Sequence, residues 1–316
     1  MKKLTGILFF LMMITSVSAE NISGCNFIEE FDYVTIRSKI KECESQFVPP
    51  KGDFDVFKRQ IESFHDLGIL SIPVTENLVN KYLSTFKSAD RDSVYVLFDK
   101  VVYTAVNDFN DSLELNYSTL LHRANRKIVD LEITQFKRCL DLCGLILLRT
   151  EGEDYVDVNY DYYYKLFKGR VSPALTDYLK IRKKELRQGF SEDAELVISF
   201  HQLYKRVITW EKFNMKYPDF FNREDAQNNY ATYLSTLITG MDNSPLFDYD
   251  TGRLFPEIYN LYLKIISRHD ALKSTRVIKE YYNLLKTSDF KMPDELDQFL
   301  KHHELFSMLG MQPENR

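Results

Sequence analysis

Glycine and proline are scarce in this chain, at 11 and 9 residues among 316, and there is a single tryptophan. Collagen-like, linker-like and low-complexity chains need far more of both, so all three classes are excluded. Beyond residue 19 no uninterrupted apolar run reaches the length of a membrane span; the most apolar, Cys143 to Leu148, stops at Arg149. No transmembrane segment is therefore expected there. A basic tract free of acidic neighbours is also missing: Arg182-Lys183-Lys184 runs directly into Glu185, and the formal charge is −5. Nucleic-acid recognition needs a basic face that neutralises phosphates, so nucleic acid is not expected as a partner. The zinc-hydrolase spacings HExxH and HxxEH and the nucleophile elbow GxSxG do not occur either. No metal and no cofactor is expected.

What is abundant is aromatic: 20 tyrosines and 23 phenylalanines. Together with few helix breakers they point to a packed globular body. Its N-terminal address is separate. Lys2 and Lys3 precede the apolar run Leu4 to Ile14, and Thr15 to Ala19 supplies small residues. That order is a secretory signal peptide over 1–19, cleaved after Ala19, and implies a periplasmic or secreted protein. Ile22-Ser23-Gly24-Cys25 resembles a bacterial lipobox, which makes a lipid anchor at Cys25 the alternative.

Export makes the four cysteines Cys25, Cys43, Cys139 and Cys143 candidates for oxidation. A Cys25–Cys43 bridge closes a short loop and is favoured. Cys139 and Cys143 sit i,i+4 on one helix, poorly aimed at each other, and read as small buried groups. The other arrangement pairs each of them with an N-terminal cysteine. Residues 20–52 thus form an N-terminal Cys-containing segment, closed by Val48-Pro49-Pro50-Lys51-Gly52, and 53–316 an all-helical domain.

Helical periodicity runs through that domain. Asp53 caps a stripe of Phe57, Ile61 and Phe64, and Thr75 the next, with Leu78 and Tyr82. Separate stripes follow at Val94 to Ala105, Leu121 to Leu131, and Phe136 to Leu147. Ser172-Pro173 is an N-cap with proline at the first helical position. Later stripes centre on Leu203, Tyr233, Tyr262, Tyr281 and Leu300. Tyr155 to Tyr160 alternates with period two, but one short run makes no sheet. The expected fold class is all-α, either an irregular α-solenoid-like multi-helix array or a large helical bundle.

Candidate chemistry is thin. Glu62-Ser63 on an early helix resembles lytic transglycosylases, a likeness that implies Glu62 as a general acid. The Gly-Leu-Met-Gln segment of that family is replaced here by Ile72-Pro73-Val74 and Asn77-Leu78-Val79. Asp248-Tyr249-Asp250-Thr251-Gly252 alternates oxygen donors, but out of step with a calcium loop, and a turn explains it. Asn21, Asn110 and Asn116 head glycosylation triplets that matter in a eukaryotic secretory route. Tyr155, Tyr160, Tyr162, Tyr163 and Tyr164, interleaved with Asp154, Asp157 and Asp161, make the leading candidate binding surface. The sequence points to an exported soluble helical protein that binds a protein or cell-envelope partner without catalysis. The alternative is an exported hydrolase, glycan-directed, whose site is assembled only by folding.

Overall fold

The computed structural model describes residues 33–126, 130–150, 153–268 and 271–309. The signal segment 1–19, Asn21 and Cys25 lie outside the described residues. The fold is all-α: successive helices joined by short connections, with only two small sheets among the described residues. No helix among them is long and apolar enough to cross a membrane. The chain forms two compact units, one of residues 1–148 and 154–158, the other of 149–153 and 159–316.

In the first unit, α1 (Tyr33–Gln46), α2 (Phe54–Glu62), α3 (Ser71–Tyr82), α4 (Arg91–Asn125) and α5 (Leu131–Leu142) follow in order. Asp53 caps α2 as its position predicts, accepting from the backbone N–H groups of Asp55 and Val56. Phe57 and Ile61 are fully buried on that helix. α3 begins five residues earlier than a cap at Thr75 implies, with Leu70 at the cap position: Thr75 is buried inside the helix, and Pro73 sits in the first turn, where no N–H is required. The Val94 stripe and the Leu121 and Ala124 part of the next belong to one helix, α4, because no glycine or proline interrupts residues 91–125, while Leu131 opens α5.

Two cysteines behave as small buried groups. Cys139 packs with Ile36 of α1 and Leu70, and Cys143 lies with its sulfur 3.8 Å from the Ile69 carbonyl. Burial pushes the Cys143 thiol well above the usual range, which removes its thiolate chemistry. Cys43 is half-buried on α1. The helix expected through Leu147 ends at Leu142, and β1 (Leu145–Thr150) pairs with β2 (Glu153–Val158). Asn110 of α4 clamps β2 by accepting from Val156 N–H and donating to the Val156 carbonyl, both at 2.9 Å. Its amide nitrogen is thus committed inside the fold, which is incompatible with a glycan at that position.

The second unit holds α6 (Tyr160–Phe167), α7 (Pro173–Gln188), α8 (Phe200–Lys216), α9 (Arg223–Thr239), α10 (Pro256–Ile266), α11 (Lys273–Thr287) and α12 (Leu296–His302). Ser172 caps α7 through Leu175 N–H at 3.1 Å, with Pro173 in the first turn. A reciprocal capping box between Ser199 and Gln202 opens α8. Between these helices, β3 (Ser191–Glu192) and β4 (Glu195–Leu196) form a hairpin. Gly189 starts that connection at φ +70°, and a Cβ there would lie 2.7 Å from Val197 Cγ2, so only glycine fits. Trp210 is fully buried, edge-on to Tyr178 and Phe213 at 5.8 and 5.6 Å.

A candidate anion-binding groove

α7 and α8 run antiparallel, in contact at both ends and, along one side, through Glu185 with Trp210 and Tyr178 with Trp210. At one end Asp177 accepts from Lys216 Nζ at 2.9 Å and from the Tyr217 hydroxyl at 2.6 Å. At the other, Arg206 Nη2 donates to the Gly189 carbonyl and, at 3.3 Å, to Gln188 Oε1. Between these contacts lies a groove of about 380 Å³. Residues 177, 180, 181, 184, 185 and 188 of α7 recur at three- and four-residue steps on its wall, as do 202, 205, 206, 209, 213 and 216 of α8. Each wall is therefore one helix face.

Six basic side chains line the groove, Lys180, Lys184, Lys205, Arg206, Lys212 and Lys216, against two acidic ones, Asp177 and Glu185. Lys216 is neutralised by Asp177. Burial works against the Asp177 charge, yet the Tyr217 and Lys216 hydrogen bonds hold its carboxyl below the ordinary value. Among the described residues Lys180, Lys184, Lys205 and Lys212 form no ion pair, although Asp177, three residues before Lys180, feels the Lys180 charge. Two like charges about 8 Å apart repel by roughly 0.5 kcal/mol in water and about 2 kcal/mol at a protein surface. A cationic concentration of this kind in a chain of formal charge −5 has to be tolerated by the fold.

The groove floor is a buried polar network. Arg206 is 5% exposed and Glu185 6%. Glu185 accepts from Trp210 Nε1 at 2.9 Å and from the Tyr233 hydroxyl at 3.0 Å; Tyr233 in turn accepts from Arg206 Nη1 at 3.3 Å. Burial raises the Glu185 carboxyl above the ordinary glutamate value, against the pull of Arg206 and Arg182. Among the described residues Arg206 has no carboxylate within ion-pair distance, and its buried Nε has no acceptor.

The tyrosine-rich segment is divided between elements. Tyr155 lies on β2 in the first unit, half-buried, its phenol pushed up by burial and by Asp157. Tyr160, Tyr162, Tyr163 and Tyr164 lie on α6 in the second: Tyr163 is fully buried and the others half-buried. α7 supplies cations to this face from within the chain. Arg182 stands over the Tyr160 ring at 5.2 Å, and Lys183 over Tyr164 at 4.2 Å. Asp161 pairs with Lys183 at 3.1 Å and Arg187 at 2.5 Å. Thus the basic run 182–184 splits: Arg182 and Lys183 serve α6, and Lys184 serves the groove.

The other candidates are dispersed. Glu62 shares a cavity of about 300 Å³ with Ser71, Thr104 and Asp108 in the first unit; both carboxylates are exposed. A third cavity, about 550 Å³, borders Glu211, Tyr230 and His303 in the second unit. His122 Nδ1 lies 3.4 Å from Asp154 Oδ2, and this pair borders none of the three cavities. The Asp248 carboxylate is spent on Thr251 N–H and Oγ1 at 2.8 and 2.7 Å, which makes that segment a turn. Among the described residues no three His, Cys, Asp or Glu side chains are placed to hold a metal ion. No protein-family model, curated protein or solved structure matches the chain.

Proposed function

We propose that the protein is an exported binding protein whose site is the α7–α8 groove, and that its protein or cell-envelope partner presents negative charge there. One observation carries this reading: four lysines that form no ion pair among the described residues line one cavity in an otherwise acidic chain. A small-molecule or side-chain site typically occupies about 300–1,000 Å³, and the groove falls within that range. Its lining offers charge and two apolar side chains, Ile181 and Phe213, but no histidine or cysteine. Glu185, the buried carboxyl of the groove, is committed to Trp210 and Tyr233. Binding suits these groups better than proton transfer does.

Export rests on the order Lys2-Lys3, Leu4 to Ile14, Thr15 to Ala19, and an oxidising destination suits a Cys25–Cys43 bridge. Intact mass of the exported protein tests cleavage after Ala19, the bridge and any lipid at Cys25 together.

The reading predicts that Lys180→Glu/Lys212→Glu lowers affinity for tripolyphosphate or a glutamate peptide on the order of 100-fold, from roughly 1.5 kcal/mol per charged contact. Both lysines are exposed and form no ion pair among the described residues, so the circular dichroism spectrum is expected not to change. Thermophoresis in 50 mM salt measures the loss. Absence of binding to either probe by the parent protein contradicts the reading.

A glycan-directed hydrolase is supported by one observation, the shared cavity of Glu62 and Asp108. A general acid of that chemistry sits in an apolar pocket, whereas both carboxylates here face solvent. Cell-wall glycan turbidity is expected not to fall with time. A fall abolished by Glu62→Gln would reverse the order of the two readings.

A further inference from the structure

We infer that the groove takes a ligand carrying clustered phosphate groups, in preference to one carrying carboxylates. The inference rests on the binding role proposed above and concerns the chemistry of the occupant.

The donor set carries the argument. A carboxylate is planar and is matched by the guanidinium fork, which makes two parallel hydrogen bonds to it. The groove has one arginine; its two terminal nitrogens are spent, and the buried Nε is left as a single donor. Arg206 Nη1 donates to the Tyr233 hydroxyl, and Nη2 donates to the Gly189 and Glu185 carbonyls and to Gln188. Nothing is left to grip a carboxylate in two-point fashion. The remaining cations are lysine ammoniums, compact point charges on flexible stems. They approach from both walls, Lys180 and Lys184 from α7, Lys205 and Lys212 from α8. Donors arriving from several directions suit a tetrahedral oxyanion, whose oxygens also point in several directions.

Charge density leads to the same occupant. A phosphate ester carries about −1.5 to −2 near neutral pH, so two such groups neutralise four lysines. Carboxylates would have to number four to do so, within about 380 Å³. Beneath them Arg206, 5% exposed, adds a buried positive charge with no carboxylate in ion-pair range among the described residues; the Glu185 carboxyl meets it only through Tyr233 and is held toward its neutral form by burial. That buried charge is an observation independent of the surface lysines, and it raises the potential where an anion would settle. The clustered phosphates could belong to a soluble oligophosphate or to a lipid headgroup.

The test is calorimetric titration of the exported chain with sodium tripolyphosphate, with a glutamate peptide of matching charge, and with phosphatidylcholine vesicles with or without phosphatidic acid. Lys180→Gln/Lys212→Gln runs in parallel. Tripolyphosphate is expected to bind at one site, roughly tenfold or more tighter than the peptide, and to lose that preference in the double variant. Binding confined to phosphatidic acid vesicles and lost in the double variant also supports the inference and assigns the phosphate to a lipid. Equal affinity for the peptide overturns the inference while leaving the binding role intact. Tripolyphosphate binding that survives the double variant places the phosphates elsewhere and overturns it too. No binding of any probe overturns both.

Discussion

Glu185→Ala is expected to destabilise the second unit by about 3–5 kcal/mol, the usual cost of removing one partner from a buried charged network. The reason is local. The substitution leaves Trp210 Nε1 and the Tyr233 hydroxyl proton buried without the oxygens they now donate to at 2.9 and 3.0 Å. Each abandoned donor costs about 1–3 kcal/mol. It also removes a negative charge that acts on Arg206 and on Arg182, whose Nη1 lies 3.9 Å from Glu185 Oε2. Glu185→Gln keeps one acceptor and is expected to cost less.

The pH dependence has a definite sign. Burial raises the Glu185 carboxyl above its unfolded value, so the folded state holds that proton more tightly. The stability it contributes is fully present below the unfolded value and is lost as pH rises through the raised one. The difference between the parent and Glu185→Gln should therefore shrink as pH increases across that interval. Urea unfolding followed by fluorescence of Trp210, the only tryptophan, reads the second unit directly. A loss below 1 kcal/mol for the alanine variant would show that the network does not hold the floor of the groove.

Glu211→Ala is expected to cost about 3 kcal/mol, through a helix it does not belong to. The first turn of α11 has no cap of its own, because the residue at its N-cap is Leu272. Glu211, projecting from α8 and 6% exposed, fills that role: it accepts from the backbone N–H of Lys273, from Ser274 N–H at 3.2 Å and from the Ser274 hydroxyl. A carboxylate there also meets the positive end of the helix dipole. Hydrogen bonds to a charged group contribute roughly 1.5–3 kcal/mol each, and they act jointly here. Ser274→Ala removes one of the donors and is expected to cost about 1 kcal/mol. Amide exchange at Lys273 and Ser274 should accelerate in Glu211→Ala before exchange in α8 does. Uniform acceleration would contradict a capping role.

Much of the helical order was readable from residue spacing. Ser172-Pro173 and Asp53 mark helix starts because each supplies an oxygen to otherwise unsatisfied N–H groups. α4 reads as two stripes because its surface changes along 35 residues, although nothing in it breaks a helix. The hairpin of β1 and β2 is half visible: β2 alternates, whereas Leu145-Ile146-Leu147-Leu148 reads equally well as a helix end. The Glu211 cap is invisible in sequence, since its partners lie 62 and 63 residues away.

The groove was hidden for a related reason. Its lysines are spread over two helices, and adjacent members of the run 182–184 turn to different faces of α7. A run of charges reports composition; only its projection onto a helix reports where the field goes. The visible signal was the pair Lys180 and Lys184 flanking Ile181, repeated by Lys205, Lys212 and Lys216 on the next helix.

The most direct measurement of the central claim locates the anion. Lysine side-chain NMR of the isotope-labelled chain during a tripolyphosphate titration resolves the ammonium-bearing groups individually. Lys180, Lys184, Lys205 and Lys212 are expected to shift together along one saturating curve, while Lys183, held over Tyr164, stays in place. Shifts scattered over lysines outside the groove, or saturation without these four, would contradict the account.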